Sequence, residues 1–435
     1  MVATRRSGAR GGDPPQEQRT KVATDSFAES LRLLRTRRFG TFCFASLLSN
    51  LGTWAQQVAE PWLLLTLGAS SLLIGLDSFA AAAPVWILTL LGGVLADRTD
   101  RRRVITICQS IQALCPSVLV ILLLIATVQP WIVIVLSAIV GVTDALSMPS
   151  FQSIVPSIVD RDNIATGLAL NATQFNLSRV LGPALAGVLM ASVGAVGCFA
   201  LNAASYVPFI WVALWLLPRG RTSRASTDTF DRRQFLASMH DIAGNPHLRG
   251  ALLTVLFTST LCGPLTVFCP ILVKTVLNRD VGDFSIAIAA FGIGGISGAI
   301  VLLGISARRD RRRVSSWFAA AYGAVLVLVA INPWFWSLPV LLMLAGISMT
   351  ISNTSANSLL QATAPPELRG QTVSLYMLAM RGGISVGSLV TGASVHFFGV
   401  REALIMNGLL AIVAQLAIGR RWLRSRPHMS QPVHQ

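Results

Sequence analysis

"GGVLADRTDRRRV" (92–104) places two acids and four arginines between two long apolar runs, in a chain of which only 12% of residues are charged. "ARRDRRRV" (307–314) concentrates charge again, one acid among five arginines, and its Asp310 stands 310 − 100 = 210 residues after Asp100. The runs on either side decide the fold. They reach the roughly 20 residues that a helix needs to cross a bilayer. Stretches such as "WIVIVLSAIVGV" (131–142) are apolar on every side, where a helix of a soluble domain would carry a polar stripe. With 53% of its 435 residues hydrophobic, the chain reads as an all-α integral membrane protein. The charged stretch is then a connector between two crossings.

Extending the count in both directions gives twelve crossings, six on each side of the soft stretch 218–249. The expected division is a basic tail at 1–38, a first six-helix bundle at 39–217, a linker at 218–249, a second bundle at 250–419 and a tail at 420–435. Within the linker Phe235, Leu236, Met239 and Ile242 recur at helical spacing, as in a short helix lying on the membrane surface. "GPALAG" (182–187) and "GSLVTG" (387–392) repeat at an offset of 387 − 182 = 205, close to that of the two charged connectors. Two halves with one ancestor are implied, hence two pseudo-symmetric bundles.

The net charge of +16 invites a nucleic-acid partner, but the arginines sit in short connectors. One alternate set of loops holds the two tails, 97–103, the linker and 307–313; the other holds only Lys274, Arg279 and Arg401. The positive-inside rule accounts for this asymmetry with both termini cytoplasmic and no nucleic acid. The basic tail lacks the apolar core of a cleavable signal peptide, so it is expected to stay. Six cysteines lie scattered in apolar segments without a CxxC pair, so no metal and no cofactor is expected.

Gly93, Asp97, Arg98, Arg102 and Arg103 match the second-to-third-loop signature of the major facilitator superfamily, which the chain resembles over about residues 30–420. Asp100 stands where that signature has glycine. The departure is similar to the "ADRxDRRR" of the superfamily's enterobactin-exporter-like branch, as are "SNLGTWAQQVAEPWLLL" (49–65), "LALNATQFNLSRVLGPALAG" (168–187) and "PELRGQTVSLYMLAMRGG" (366–383). The resemblance implies a twelve-helix secondary transporter of the cytoplasmic (inner) membrane, exporting a small molecule in exchange for protons. It also implies that Asp97 and its arginines form a gate against the start of the eleventh helix, near Gln371. Gly182, Pro183 and Gly187 resemble the exporters' fifth-helix signature. A proline that removes a backbone donor beside glycines that admit a neighbour makes a hinge.

Charged residues inside the crossings carry the remaining chemistry, since each costs at least about 2.5 kcal/mol to insert. Glu60, Asp77 and Asp144 are the candidates for proton coupling, with Glu60 first. Asn50, Trp54, Gln57, Gln174, Arg179 and Arg381 are expected to line the substrate cavity, the two arginines drawing an anionic cargo or an acidic partner. There is no Walker-type glycine loop, no HExxH and no stretch long enough for a nucleotide-binding domain, so an enzyme or an ATP-driven pump is not expected. A siderophore- or drug-like cargo suits these polar side chains. A nutrient importer or a lipid flippase of the same fold stays open, and the unit is expected to be a monomer.

Overall fold

Within a bilayer every backbone N–H and C=O must find its partner in its own segment, so apolar runs of this length become helices. The computed structural model describes residues 29–160, 163–216, 244–305, 310–364 and 369–424, without the side chains at 86–87, 89–98, 152–153, 165, 369–370, 373–374 and 423–424. Its helices are α1 (Arg37–Thr66), α2 (Ser71–Arg98), α3 (Arg101–Leu124), α4 (Pro130–Ile158), α5 (Ile164–Ser192), α6 (Ala195–Trp215), α7 (Pro246–Val276), α8 (Val281–Gly304), α9 (Arg311–Ile331), α10 (Leu338–Thr363), α11 (369–398) and α12 (Val400–Arg424). A π-helical turn, Leu378–Gly382, interrupts α11, and another, Leu272–Val276, ends α7. The described residues contain no strand. The tail before residue 29, the surface helix expected in the linker and the Ala307 loop lie outside the described residues.

Nine of these helices, α3 to α10 and α12, are long and apolar enough to cross a membrane by length and composition among the described residues. The other three are α1, which carries Asn50, Gln56, Gln57 and Glu60, α2, whose described side chains thin out after Val85, and α11, which carries Arg381.

Local chemistry fixes where the helices start. Asp100 caps α3 by accepting the Arg102 backbone N–H at 3.0 Å, and Asp310 caps α9 by accepting that of Arg312 at 3.0 Å. The repeated "DRRRV" is therefore a repeated N-cap, which satisfies a donor that a helix end leaves free. Asn245 caps α7 in the same way, with Pro246 at the first helical position.

Short loops make successive helices antiparallel. The described chain enters and leaves at one end of the bundle, called here the terminal end, and the opposite end is the distal end. In the first half α1 packs on α5 and α6, α2 on α4, and α3 on α6; in the second, α8 packs on α10, and α9 on α10 and α12. The halves meet along α2–α11 and α5–α8, two contacts that exchange when each helix is replaced by its repeat.

Glycines make those contacts close. A Cβ on Gly187 of α5 would stand 2.6 Å from the Ser285 carbonyl oxygen of α8, and one on Gly392 of α11 would stand 2.7 Å from that of Ser71 in α2. Hydrogen bonds from Ser71 Oγ to the Gly392 carbonyl (3.1 Å) and from Ser385 Oγ to the Ser78 carbonyl (3.0 Å) fasten the second seam. All these residues lie in the distal halves of their helices. There a single apolar core runs through both bundles, with Trp62 stacked on Phe284 at 4.8 Å. Toward the terminal end the core divides. One cluster, around Phe39, Phe42, Ile154 and Phe209, belongs to the first half; another, around Leu248, Val255, Leu360, Tyr376 and Trp422, belongs to the second. The terminal segment of α11, Arg369–Met377, packs on α10 and α7 of its own half. Among the described residues, the two bundles share a core at the distal end and hold separate cores at the terminal end.

Candidate functional site

Three charged residues meet at mid-height between the halves. Asp144 lies fourteen residues from either end of α4 (144 − 130 and 158 − 144), deeper than its distance from the loop in sequence implies. Arg179 is fifteen residues into α5, and Arg381 lies in the π turn of α11. A π turn inserts one residue into the helical register and re-aims the side chains around it. Both Met380 and Arg381 thereby reach the first half. Arg381 Nη1 donates to Asp144 Oδ2 at 3.2 Å, and Arg179 Nη1 donates to Met380 Sδ at 2.7 Å.

The Asp144–Arg381 pair is embedded in a polar chain. Gln112 Nε2 donates to Asp144 Oδ1 at 2.9 Å and lies 3.1 Å from Thr143 Oγ1, while Gln109 Nε2 donates to Gln112 Oε1 at 2.7 Å. The Arg381 guanidinium lies 5.6 Å over the Phe175 ring, whose neighbour is Trp54 at 6.3 Å, edge to face. With its side chains 30% and 37% exposed, the pair contributes no more than about 1 kcal/mol. A bond that weak can break and re-form during a cycle. Arg179 differs. It is 7% exposed, and its Nε has no hydrogen-bond partner among the described residues.

A second cluster lies toward the distal end. Glu60 of α1 and Asp77 of α2, 8% and 5% exposed, flank Ser137 of α4. Ser137 Oγ donates to Glu60 Oε1 at 2.6 Å, Gln56 also bonds Glu60, and Asp77 Oδ1 has no partner among the described residues. Two carboxyls facing one hydroxyl in an apolar pocket are suited to holding a proton between them. Of the two arginines expected to draw an anionic cargo or an acidic partner, Arg381 meets Asp144 and Arg179 meets Met380.

Of the other expected site residues, Asn50 Nδ2 lies 3.4 Å from Gln174 Oε1, a long hydrogen bond, and Gln57 is exposed. A Cβ on Gly182 would meet the Trp54 side chain, and Pro183 sits within an uninterrupted α5. The side chains of Gly93, Asp97 and Arg98 lie outside the described residues. Arg102 is the second residue of α3, and Arg103 is exposed beside a groove of about 890 Å³ between α3 and α4, whose walls include Ile107, Val135 and Ile139. Thr143, which Gln112 touches in the polar chain, is also part of its wall. Sequence reasoning missed Phe175, Met380, Gln112 and Ser137, all neutral; only the closeness of Phe175 to Arg179 and of Met380 to Arg381 in the helical register could have marked the first two. All six cysteines are buried and unpaired.

The chain is similar to known proteins over most of its length. The chain is 25% identical over 375 residues to the staphyloferrin A transporter of Staphylococcus aureus, a match covering 85% of this chain and 93% of that protein. It is 26% identical over 388 residues to the multidrug efflux pump Tap of Mycolicibacterium fortuitum, covering 85% and 93%. To the enterobactin exporter EntS of Salmonella choleraesuis it is 25% identical over 421 residues, covering 92% and 98%. Among solved structures, a point mutant of the nucleoside transporter NupG superposes with a TM-score of 0.71 at 12% identity, covering 88% of this chain and all of that one. A bacterial homologue of the lysosomal transporter Spinster gives 0.66 at 16% identity, covering 89% and 98%. These establish a multi-pass efflux transporter of the major facilitator fold that carries small molecules and is no enzyme. Residues 28–432 match one family as a whole, and the chain belongs to it: the transmembrane secretion effectors of the major facilitator superfamily.

Proposed function

We propose that the protein exports a small molecule from the cytoplasm by alternating access, in exchange for protons, and does so as a monomer. The observation that carries this reading is the divided core: one apolar cluster joins the bundles at the distal end, and separate clusters hold them at the terminal end. The arginine-rich connectors are at the terminal end, which the positive-inside rule turns to the cytoplasm. The cavity between the halves is then open for loading from inside. Asn50, Trp54, Gln57, Gln174, Arg179 and Arg381 surround the cargo. Relatives named for staphyloferrin A and enterobactin favour a siderophore-like cargo, and one named for multidrug efflux favours a drug-like one.

The opposite state requires the terminal ends to close and the distal seam to open. Asp97, with Gly93 allowing close approach, engages Arg98, Arg102 and Arg103 to hold the closed terminal end, while α5 bends at Gly182, Pro183 and Gly187. Glu60 and Asp77 take up the proton once the distal seam parts and water reaches Ser137. Asp144 responds through its bond to Arg381. Proteoliposomes loaded with radiolabelled candidate cargo test this reading. An imposed pH gradient should drive accumulation, and Glu60→Gln should abolish uphill movement while leaving cargo exchange. Uphill movement unaffected by Glu60→Gln removes Glu60 from the coupling step; accumulation indifferent to the pH gradient removes proton exchange altogether.

A further inference from the structure

The mid-height layer between the bundles carries two guanidiniums and one carboxylate. Asp144 is fully engaged, one oxygen by Arg381 and the other by Gln112. The surplus charge is Arg179. It is buried on all sides, it meets a thioether instead of an acid, and its Nε is free among the described residues. A thioether sulfur is a neutral, weak acceptor and leaves a guanidinium's charge uncompensated. Tyr322 is within electrostatic reach, but its hydroxyl donates to the Cys262 carbonyl at 3.1 Å.

We infer that Arg179 is the anchor for a single carboxylate of the cargo, and that the Met380 sulfur covers this site when it is empty. The inference rests on the transporter reading above and narrows its cargo to anions. A guanidinium offers two parallel N–H groups to a carboxylate, and here one edge is already unbonded. Methionine suits a movable cover because its chain is unbranched and adaptable. Cargo approaches from the terminal end, past Phe175 and the half-exposed Arg381–Asp144 pair. Binding of one carboxylate balances the layer at two positive and two negative charges.

The test uses the full chain in lipid nanodiscs and matched probes: benzoate, gallate and citrate, each against its methyl ester, at constant ionic strength. At least one acid should raise the thermal midpoint by about 2 °C or more at saturation, with its ester ineffective. Arg179→Gln should erase the difference between acid and ester, and Arg179→Lys should keep most of it. Met380→Leu, nearly equal in volume, should tighten the acid several-fold and leave the ester unchanged, which gives a reading even if Arg179→Gln fails to fold. No preference for any acid in the parent, a preference that survives Arg179→Gln, or an unchanged acid affinity in Met380→Leu overturns the inference. Flux of the same probes in proteoliposomes separates the two ideas. An acid that binds through Arg179 but is never moved overturns the transporter reading alone, and an ester moved in preference to its acid overturns the anion site alone.

Discussion

Asp144 and Arg381 form a bond between α4 of one half and α11 of the other, so any motion that separates the halves at mid-height must lengthen it. Its value is directional more than energetic. A half-exposed ion pair adds little stability, but breaking one partner leaves the other charged in the middle of a membrane. Asp144→Asn and Arg381→Gln should each lower transport roughly tenfold, within the range by which contacting charges couple. The exchange Asp144→Arg with Arg381→Asp should recover a substantial part of that loss. Radiolabelled flux normalised to protein abundance measures it; a double variant no better than either single one removes the pair from the cycle. Arg179, far from both ends of α5 and paired with no acid among the described residues, falls outside this logic, and its neighbours include the neutral Met380 and Tyr322.

Helices in this bundle are positioned by small residues and by caps, and the two act at different places. At the distal seam Gly187→Ala would press a methyl into the Ser285 carbonyl, 2.6 Å away, and toward the Ala289 side chain, 2.8 Å away. The α5–α8 contact should open. Spin labels on the distal ends of those helices should report a longer separation than in the parent, and transport should fall because the sealed state is less populated; an unchanged distance would mean that the contact yields without moving the helices. The caps bear on stability instead. Asp310→Ala should lower stability by about 1 kcal/mol, seen in thermal unfolding with little effect on flux per folded molecule. Partial burial pushes the Asp310 carboxyl up, but hydrogen bonds from the Arg312 side chain and backbone, and the charges of Arg312 and Arg313, outweigh it and hold the carboxyl below its usual value. A carboxyl lowered by folding contributes stability that is present above its unfolded value, near 4, and is lost as pH falls through the folded value. The parent's advantage over Asp310→Ala should therefore persist at neutral pH and shrink below about pH 4.

At the scale of the whole molecule, two bundles share one core at the distal end and keep separate cores at the terminal end, which is how a solid protein can open to one side at a time. Which side is which follows from the connectors. Ser306→Cys should react with a membrane-impermeant thiol reagent only in opened cells, and Arg279→Cys should react in intact ones, against a low background because all six native cysteines are buried. The reverse pattern would invert the orientation. The long apolar runs, the repeated "DRRRV" and the paired glycine motifs were legible in the sequence because length, composition and offset are properties of the chain itself. They led to twelve helices in two related halves, and the resemblance carried by Gly93, Asp97, Arg98, Arg102 and Arg103 implied the major facilitator fold. The cap made by Asp100 escaped notice, since a residue that departs from a family signature gives no sign of the local bond it makes instead. The site was legible only as a set of charged residues, without their pairing. Glu60 meets Ser137 and Asp77; Arg381 meets Asp144 from 237 residues away; Arg179 meets Met380 from 201 residues away. The π turn at Leu378–Gly382 shifts the register on which any prediction of facing side chains depends. The sequence by itself determined how many times the chain crosses and where its charges lie along it, because the cost of placing a residue in lipid is paid locally. Only the tertiary structure decided which charge answers which and, among the described residues, leaves Arg179 without an acid, because electrostatic partnership depends on distance through space.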